Sequence, residues 1–158
     1  MKVKIKIKVL GVGGSGGNAI TRMTKLGVGG VELVALNTDI QDLKKTKADF
    51  KLPIGDKITK GLGTGMNPSL GEKAALESKE EIKKILAGTD LVFITCGMGG
   101  GTGSGASPVI AEMARELGIL TVAIVTKPFS FEGAQRMRNA LRAIEKLKER
   151  VDSLVVIN

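Results

Sequence analysis

The sequence has no histidine, no tryptophan and no tyrosine, one cysteine (Cys96) and four phenylalanines in 158 residues. Each scarcity removes a class of function. Without histidine there is no ordinary zinc site, and one cysteine cannot form an internal disulfide framework, so cytoplasm is the default compartment. Few aromatics leave no platform for stacking the bases of a nucleic acid. The formal charge of +8, from 24 Lys+Arg against 16 Asp+Glu, is therefore read as a solvated basic surface or the counterpart of an anionic ligand. The lysines are scattered over helix faces and mixed with glutamate, which argues the same way. No apolar run approaches the roughly 20 residues of a membrane span, so no membrane contact is expected of the chain itself. The basic start, Met1 to Lys8, alternates Lys with Val or Ile and lacks the continuous apolar core of a signal peptide.

What the chain has instead is glycine, 22 of them, gathered in two stretches. Gly11-Val12-Gly13-Gly14-Ser15-Gly16-Gly17-Asn18 follows a strand pattern, Lys2 to Leu10. It precedes a helical stripe of Ala19, Ile20, Met23 and Leu26 that Gly27 ends. Gly97-Met98-Gly99-Gly100-Gly101-Thr102-Gly103-Ser104-Gly105 follows the apolar run Leu91 to Thr95 and precedes a helix pattern, Ala106 to Leu117. A glycine-rich turn from strand into helix leaves backbone N–H groups free at the positive end of the helix, which suits a phosphate. A flexible linker would not sit between a strand and a helix pattern.

The remaining elements alternate. Val31 to Leu36 reads as a strand ending in the turn Asn37-Thr38-Asp39, then a short helix over 41–47. Phe50 to Ile54 reads as an edge strand because it contains Pro53. After an irregular glycine-bearing loop, Ser69 with Glu72 predicts a capping box, opening a helix to about Ala87 with Ala74, Ala75, Ile82, Ile85 and Leu86 inward. Ile119 to Val125 is the most apolar strand and is expected at the centre. A loop over 126–133 leads to a helix from Gln135 to Arg150, with Met137, Leu141, Ile144 and Leu147 on one stripe, and Val151 to Ile157 is a last strand. Met23, Met113 and Cys96 read as core. The order predicts a single domain over residues 1–158 of the α/β class: a Rossmann-like, doubly wound parallel sheet of about six strands with helices on both faces. Ligands of such sheets bind outside the C-terminal strand ends, where residues 11–18, 37–39, 97–105 and 126–133 would converge.

Gly11, Gly13 and Gly16 fit G-x-G-x-x-G, and Asp39 stands at the end of the second strand, so an NAD-binding Rossmann domain is one reading. A second and richer glycine loop is more than one pyrophosphate requires and favours a mononucleotide whose polyphosphate spans both loops. No G-x-x-x-x-G-K-[ST] is present, which excludes a P-loop NTPase. A structural or assembly module that needs no nucleotide is the third reading.

The wording of the second glycine stretch resembles the signature loop of the tubulin/FtsZ family of GTP-binding proteins. So do Gly11 to Asn18, Asn37-Thr38-Asp39, Gly61-Leu62-Gly63 with Asn67-Pro68, and Pro128-Phe129 with Phe131-Glu132-Gly133. The similarity runs along essentially the whole chain. It implies GTP or GDP as ligand, with Mg²⁺ accompanying a triphosphate, and self-association into protofilaments of the cell-division ring. By resemblance, Gly13, Gly14, Ser15, Gly16, Gly17 and Asn18 would hold the nucleotide from the first loop. Gly101, Thr102 and Gly103 would wrap the α/β-phosphates with their main-chain amides, and Gly97, Gly99 and Gly100 of the same loop would also belong to the nucleotide site. Thr64, Gly65 and Met66 would lie by the γ-phosphate, and Asn37 and Asp39 near the phosphates and their Mg²⁺. Glu132 would accept from the ribose, with Arg136, Thr126 and Pro128 beside it. Two plainer readings stand next to these: Asp39 as the cap of a turn, and Glu132 with Arg136 as an i, i+4 helix pair.

Gly17 and Thr64 replace the Asn and Ala common in the family. The family's guanine-reading side chains and water-activating acids belong to a central helix and second domain that these residues do not match, so no catalytic residue and no metal ligand is assigned. Asn158 is left without a role. The expectation is binding of guanine nucleotide with little hydrolysis, weakened base selectivity, and an apolar flank of the sheet left uncovered.

Overall fold

The computed structural model describes residues 4–158; Lys2, where the first strand was expected to begin, lies outside them. Six strands pair in the order β3-β2-β1-β4-β5-β6, every pair parallel. They are β1 (Ile7–Val12), β2 (Glu32–Asn37), β3 (Phe50–Pro53), β4 (Leu91–Gly97), β5 (Leu120–Thr126) and β6 (Ser153–Ile157). The helices between them are α1 (Gly13–Leu26), α2 (Ile40–Lys45), α3 (Asp56–Thr59), α4 (Pro68–Glu77), α5 (Lys79–Leu86), α6 (Gly101–Glu116) and α7 (Ala134–Lys148).

Strand alternation sorts side chains onto the two faces. Leu10, Val34, Ile94 and Ala123 stand in register on one face and join the larger core with Ala106, Ile110 and Leu147 of α6 and α7. Val9, Leu33 and Phe93 stand on the other, where Ile20 of α1 covers them. Both faces of the central strands are thus covered, as an all-parallel sheet requires. Helix α6 is buried almost throughout, which explains its small, apolar composition: it lies between the sheet and α4 and α7.

Several local expectations give way to packing. The first strand starts at Ile7, and β1 continues through Gly11 and Val12 so that α1 begins at once at Gly13. Likewise Gly101 to Gly105 are helical. The two glycine stretches are therefore mostly the first turns of helices. Ser69 is not a cap; Asn67 caps α4, its side chain accepting from Ser69 N, with Pro68 in the first turn. The long helix predicted to Ala87 breaks at Ser78, whose hydroxyl accepts from Gly55 N at 2.9 Å and is buried there. The strand 120–126 is interior but stands beside the edge strand β6, while β1 and β4 hold the centre. Leu26 is 81% exposed, because α1 has passed the sheet by its last turn. Leu141 is exposed too, the buried stripe of α7 being Asn139, Ala140, Ala143, Ile144 and Leu147. The edge strand ending in Pro53 and the αL glycine after α1, Gly27 at φ 72°, are as expected.

One part of the sheet surface stays bare. On the α1 side, Leu120, Val155 and Ile157 of β5 and β6 are about half exposed, at 53%, 46% and 48%. Helix α1 packs over β1, β2 and β4 instead. Among the described residues no helix is long and apolar enough to cross a membrane.

Candidate functional site

At the C-terminal edge of β1, β4 and β5 lies a cavity of about 540 Å³. Two helices begin in its wall. Helix α1 starts after Val12 and α6 after Gly100; neither has a side-chain cap or an acidic residue in its first turn. By contrast the starts of α2 and α4, away from the cavity, are closed by Asp39 and Asn67. The first N–H groups of a helix need a partner from outside. Here two sets of them, with their positive helix ends, open on one volume, so the partner they suit is an anion. Lys127 and Arg136 also line the cavity and add positive charge.

Of the residues expected in the site, Gly13, Gly14, Ser15, Thr64, Gly97, Gly100, Gly101, Thr102, Gly103, Thr126, Pro128, Glu132 and Arg136 line this cavity. The others stand behind it or beside it. A Cβ on Gly16 would lie 2.7 Å from Thr95 O, and one on Gly17 would lie 3.1 Å from Thr46 Oγ1. Gly17 therefore suits the close approach of Thr46, where a larger side chain would not fit unmoved. Asn18 is exposed. Asn37 is buried, accepting from Asp39 N and donating to Asp42 Oδ2 at 3.2 Å. Asp39 caps α2 by accepting from Asp42 N at 3.0 Å, the plainer of its two readings. Gly99 donates to Ser104 Oγ at 2.7 Å and holds the turn before α6. Gly65 and Met66 form the turn beyond Thr64.

Three hydroxyls meet at the floor. Thr102 Oγ1 lies 2.8 Å from Thr38 Oγ1 and 3.5 Å from Thr64 Oγ1, all three buried. This places the end of β2, the 64–66 turn and the start of α6 against one another. At the rim, Glu132 accepts from Phe129 N at 2.6 Å and stands 3.9 Å from Arg136. It is already engaged on two sides. Phe129 and Phe131 stack at 5.3 Å with rings 6° from parallel, and Phe129 lines the cavity.

Reading the sequence missed Val12, Met98, Lys127, Phe129 and Asn158 as lining residues. It also missed Thr38, which acts from behind Thr102. Lys127 was recoverable, being the one cation in a loop already assigned to the site. Cys96, at the end of β4, is buried with its thiol pushed up to about 11 by loss of water, an effect partly offset by the hydrogen bond that Ser107 donates at 3.2 Å. It stays a neutral thiol. No group of three or more His, Cys, Asp or Glu side chains able to hold a metal ion occurs among the described residues.

Comparison with known proteins agrees with this geometry. Residues 6–158 match the Tubulin/FtsZ family, GTPase domain. The chain is 57% identical over 153 residues to the cell division protein FtsZ of Aquifex aeolicus, covering 97% of this chain and 42% of that one. It superposes on an empty FtsZ dimer structure from M. jannaschii with a TM-score of 0.96 at 55% identity, covering 98% of this chain and 45% of that one. A GTPγS-bound protofilament structure of CetZ2 from Haloferax volcanii gives 0.87 at 27% identity, covering 96% and 48%. The chain thus spans less than half the length of these relatives. A Rossmann-like sheet, two uncapped helix starts on one cavity and a family match along nearly every residue make this chain a member of the tubulin/FtsZ family, corresponding to its GTPase domain.

Proposed function

We propose that the cavity binds GTP or GDP, with the polyphosphate across the starts of α1 and α6. The observation that carries this reading is that two uncapped helix N-termini, those of α1 and α6, open on one volume. Gly14 and Ser15 would give amides to one part of the polyphosphate, and Gly101, Thr102 and Gly103 to another. The sugar would lie toward Glu132, Arg136, Thr126 and Pro128. Because Glu132 is tied to Phe129 N and Arg136, it would have to share or exchange one of these partners to accept from a ribose hydroxyl. A solved relative's structure, the CetZ2 protofilament, is GTPγS-bound, which supports a triphosphate in this fold.

Hydrolysis needs a water oriented for in-line attack as well as charge stabilisation. Among the described residues the one carboxylate side chain lining the cavity is that of Glu132, at the rim and already engaged. These residues by themselves therefore provide the cradle without a group to position water, and turnover by this chain alone should be slow. Mg²⁺ would come bound to the triphosphate: Mg²⁺ keeps several waters and takes phosphate oxygens readily, and Thr102 and Thr64 line the cavity with hydroxyls. The established context of the relatives is cell division, and in that context the chain would act as a cytoplasmic, self-associating nucleotide-binding unit. The half-exposed Leu120, Val155 and Ile157 offer an apolar surface for association.

Titration calorimetry of nucleotide-free protein with GTP, GDP, ATP and NAD tests the reading. Binding of GTP and GDP is expected, with no heat from NAD. ATP binding close to that of GTP is expected as well, in line with the weakened base selectivity expected from the sequence. NAD binding in preference to the mononucleotides would restore the dinucleotide reading, and no binding would leave an assembly module.

A further inference from the structure

On the reading that the cavity takes a nucleoside triphosphate, we propose that Asn139 is a positioning residue. It latches the 64–66 turn in a strained shape and ties it to the glycine turn ahead of α6. Asn139 lies on the buried stripe of α7 and is 5% exposed. Its Nδ2 donates to Met66 O at 3.3 Å and to Gly99 O at 3.2 Å, while its Oδ1 accepts from Gln135 Nε2 at 2.9 Å. Both amide hydrogens and the oxygen are in use, and the two carbonyls belong to turns 33 residues apart in sequence.

The turn it holds is one the chain resists. Met66 has φ 66°, following Gly65 at φ 58°. Glycine adopts that region freely, whereas a long unbranched side chain does so rarely and against a steric cost. The Met66 side chain does not hold the turn, because it is itself exposed. Within the turn the other support is the backbone bond from Asn67 N to Thr64 O at 3.1 Å. Thr64 lines the cavity and touches α6 so closely that a Cβ on Gly101 would overlap Thr64 Oγ1. A shift of the turn would therefore change the width of the cavity at its floor. A strained turn persists only where its surroundings over-determine it, and the Asn139 amide supplies that constraint. Without it, the turn would relax toward negative φ at Met66 and withdraw Thr64 from the site. An occupant reaching the turn with a third phosphate should feel the change, and one ending at the second phosphate should feel it little.

The test compares GMPPNP with GDP, by calorimetry, in wild type, N139A, M66G and the N139A/M66G double variant. N139A is expected to lose roughly five- to tenfold in GMPPNP affinity, the scale of one lost hydrogen bond, and less than about twofold for GDP. In the M66G background glycine accepts positive φ without the latch, so adding N139A should cost less than about twofold for either nucleotide. Equal losses for both nucleotides, or an undiminished loss beside M66G, would mean that Asn139 only supports the fold and would overturn the proposal. Should N139A lose its cooperative melting transition, Q135A replaces it. Removing the N–H given to Asn139 Oδ1 frees the amide to rotate, and a GMPPNP-to-GDP affinity ratio lowered about twofold is expected; an unchanged ratio overturns the proposal. A wild type that binds neither nucleotide removes the nucleotide reading itself. Wild-type binding with an unaffected N139A removes the latch alone.

Discussion

The chain passes from strand to helix through glycine twice beside the same cavity, and the two junctions spend their glycines differently. Between β1 and α1 the close contact is helix on sheet. A Cβ on Gly16 would lie 2.7 Å from both Gly11 C and Thr95 O, and one on Gly11 would overlap Gly16 O. The absence of side chains lets α1 lie directly on β1 and β4. Between β4 and α6 the close contact is helix on helix. A Cβ on Gly105 would overlap Pro68 O and lie 2.7 Å from Glu72 N, and one on Gly71 of α4 would overlap Gly101 O. Only one glycine in each junction needs positive φ: Gly13 at 78° and Gly99 at 109°. Gly100 has open space where a Cβ would be, and Gly14 meets only the end of the Asp42 side chain, at 3.0 Å. A glycine-rich phosphate motif is thus largely a packing motif. On the proposed reading the anion would be served by the few glycines that face the cavity, while the rest bring the helix start close enough to aim it.

This division is broken most forcefully at Gly105. An alanine there is met by α4 backbone, which cannot swing aside as a side chain can. Gly105→Ala should lower stability by about 3 kcal/mol, at the upper end of overpacking costs, and the melting temperature by roughly 10 °C. Thermal unfolding followed by circular dichroism measures it. A wild-type midpoint would mean that α4 and α6 are free to separate and that Gly105 is not a packing glycine.

A smaller effect separates the junctions by pH, because the second contains a buried thiol and the first does not. Cys96 ionises near the ordinary thiol value of 9.0 when unfolded and is pushed up to about 11 in the fold by burial. Between these values the unfolded chain has lost the proton that the folded chain keeps, so ionisation favours unfolding. The contribution is intact below pH 9, falls as pH rises toward 11, and amounts to about 3 kcal/mol at most. Lysines titrate in the same range, so the quantity to measure is the urea-unfolding difference between wild type and Cys96→Ala from pH 8 to 10.5. A difference that narrows with rising pH is expected, and a constant one would place the thiol in contact with water.

The alternation of strands and helices, the parallel sheet and the loops at its C-terminal edge were legible in the sequence because they follow from periodicity and strand-to-helix glycine. Thr64 and Arg136, by contrast, came only through the family resemblance, and the central place of 119–125 gave way to β1 and β4. What was not legible depended on contacts between distant segments. Nothing local distinguishes Gly16, which touches Thr95 O, from Gly14, which faces the cavity. Ser69 with Glu72 has the form of a capping box, yet Asn67 wins because Pro68 fits the first turn and leaves Asn67 ahead of it. The stripe of α7 was displaced because Asn139, a polar residue, occupies a buried position with Ala143 and Leu147 at i+4 and i+8. A buried polar residue on an apolar stripe is itself a signal, here of a group that holds two turns. The role of Thr38 behind Thr102 required the end of β2 to meet the start of α6, 64 residues on.

The smallest change in stability and the most selective in function belongs at Gly100. Its backbone, at φ −79° and ψ 173°, suits alanine, and the added methyl would meet no protein atom within 4 Å. Two small stability terms oppose each other. Alanine restricts the unfolded chain, worth about 0.4–1 kcal/mol in favour of folding, but it is a poorer helix N-cap than glycine by several tenths of a kcal/mol. Gly100→Ala should therefore melt within about 2 °C of wild type. The space that admits its methyl is the cavity, and a methyl there keeps a phosphate from the amides of the first turn of α6. Affinity for GDP and GMPPNP should fall together by roughly tenfold, as for the loss of a charge-assisted hydrogen bond. Gly105→Ala should show the converse: a large loss of stability and, in whatever fraction stays folded, nearly intact affinity. If Gly100→Ala binds as wild type does, the anion does not approach that turn, and the cradle would have to be placed at the start of α1 alone.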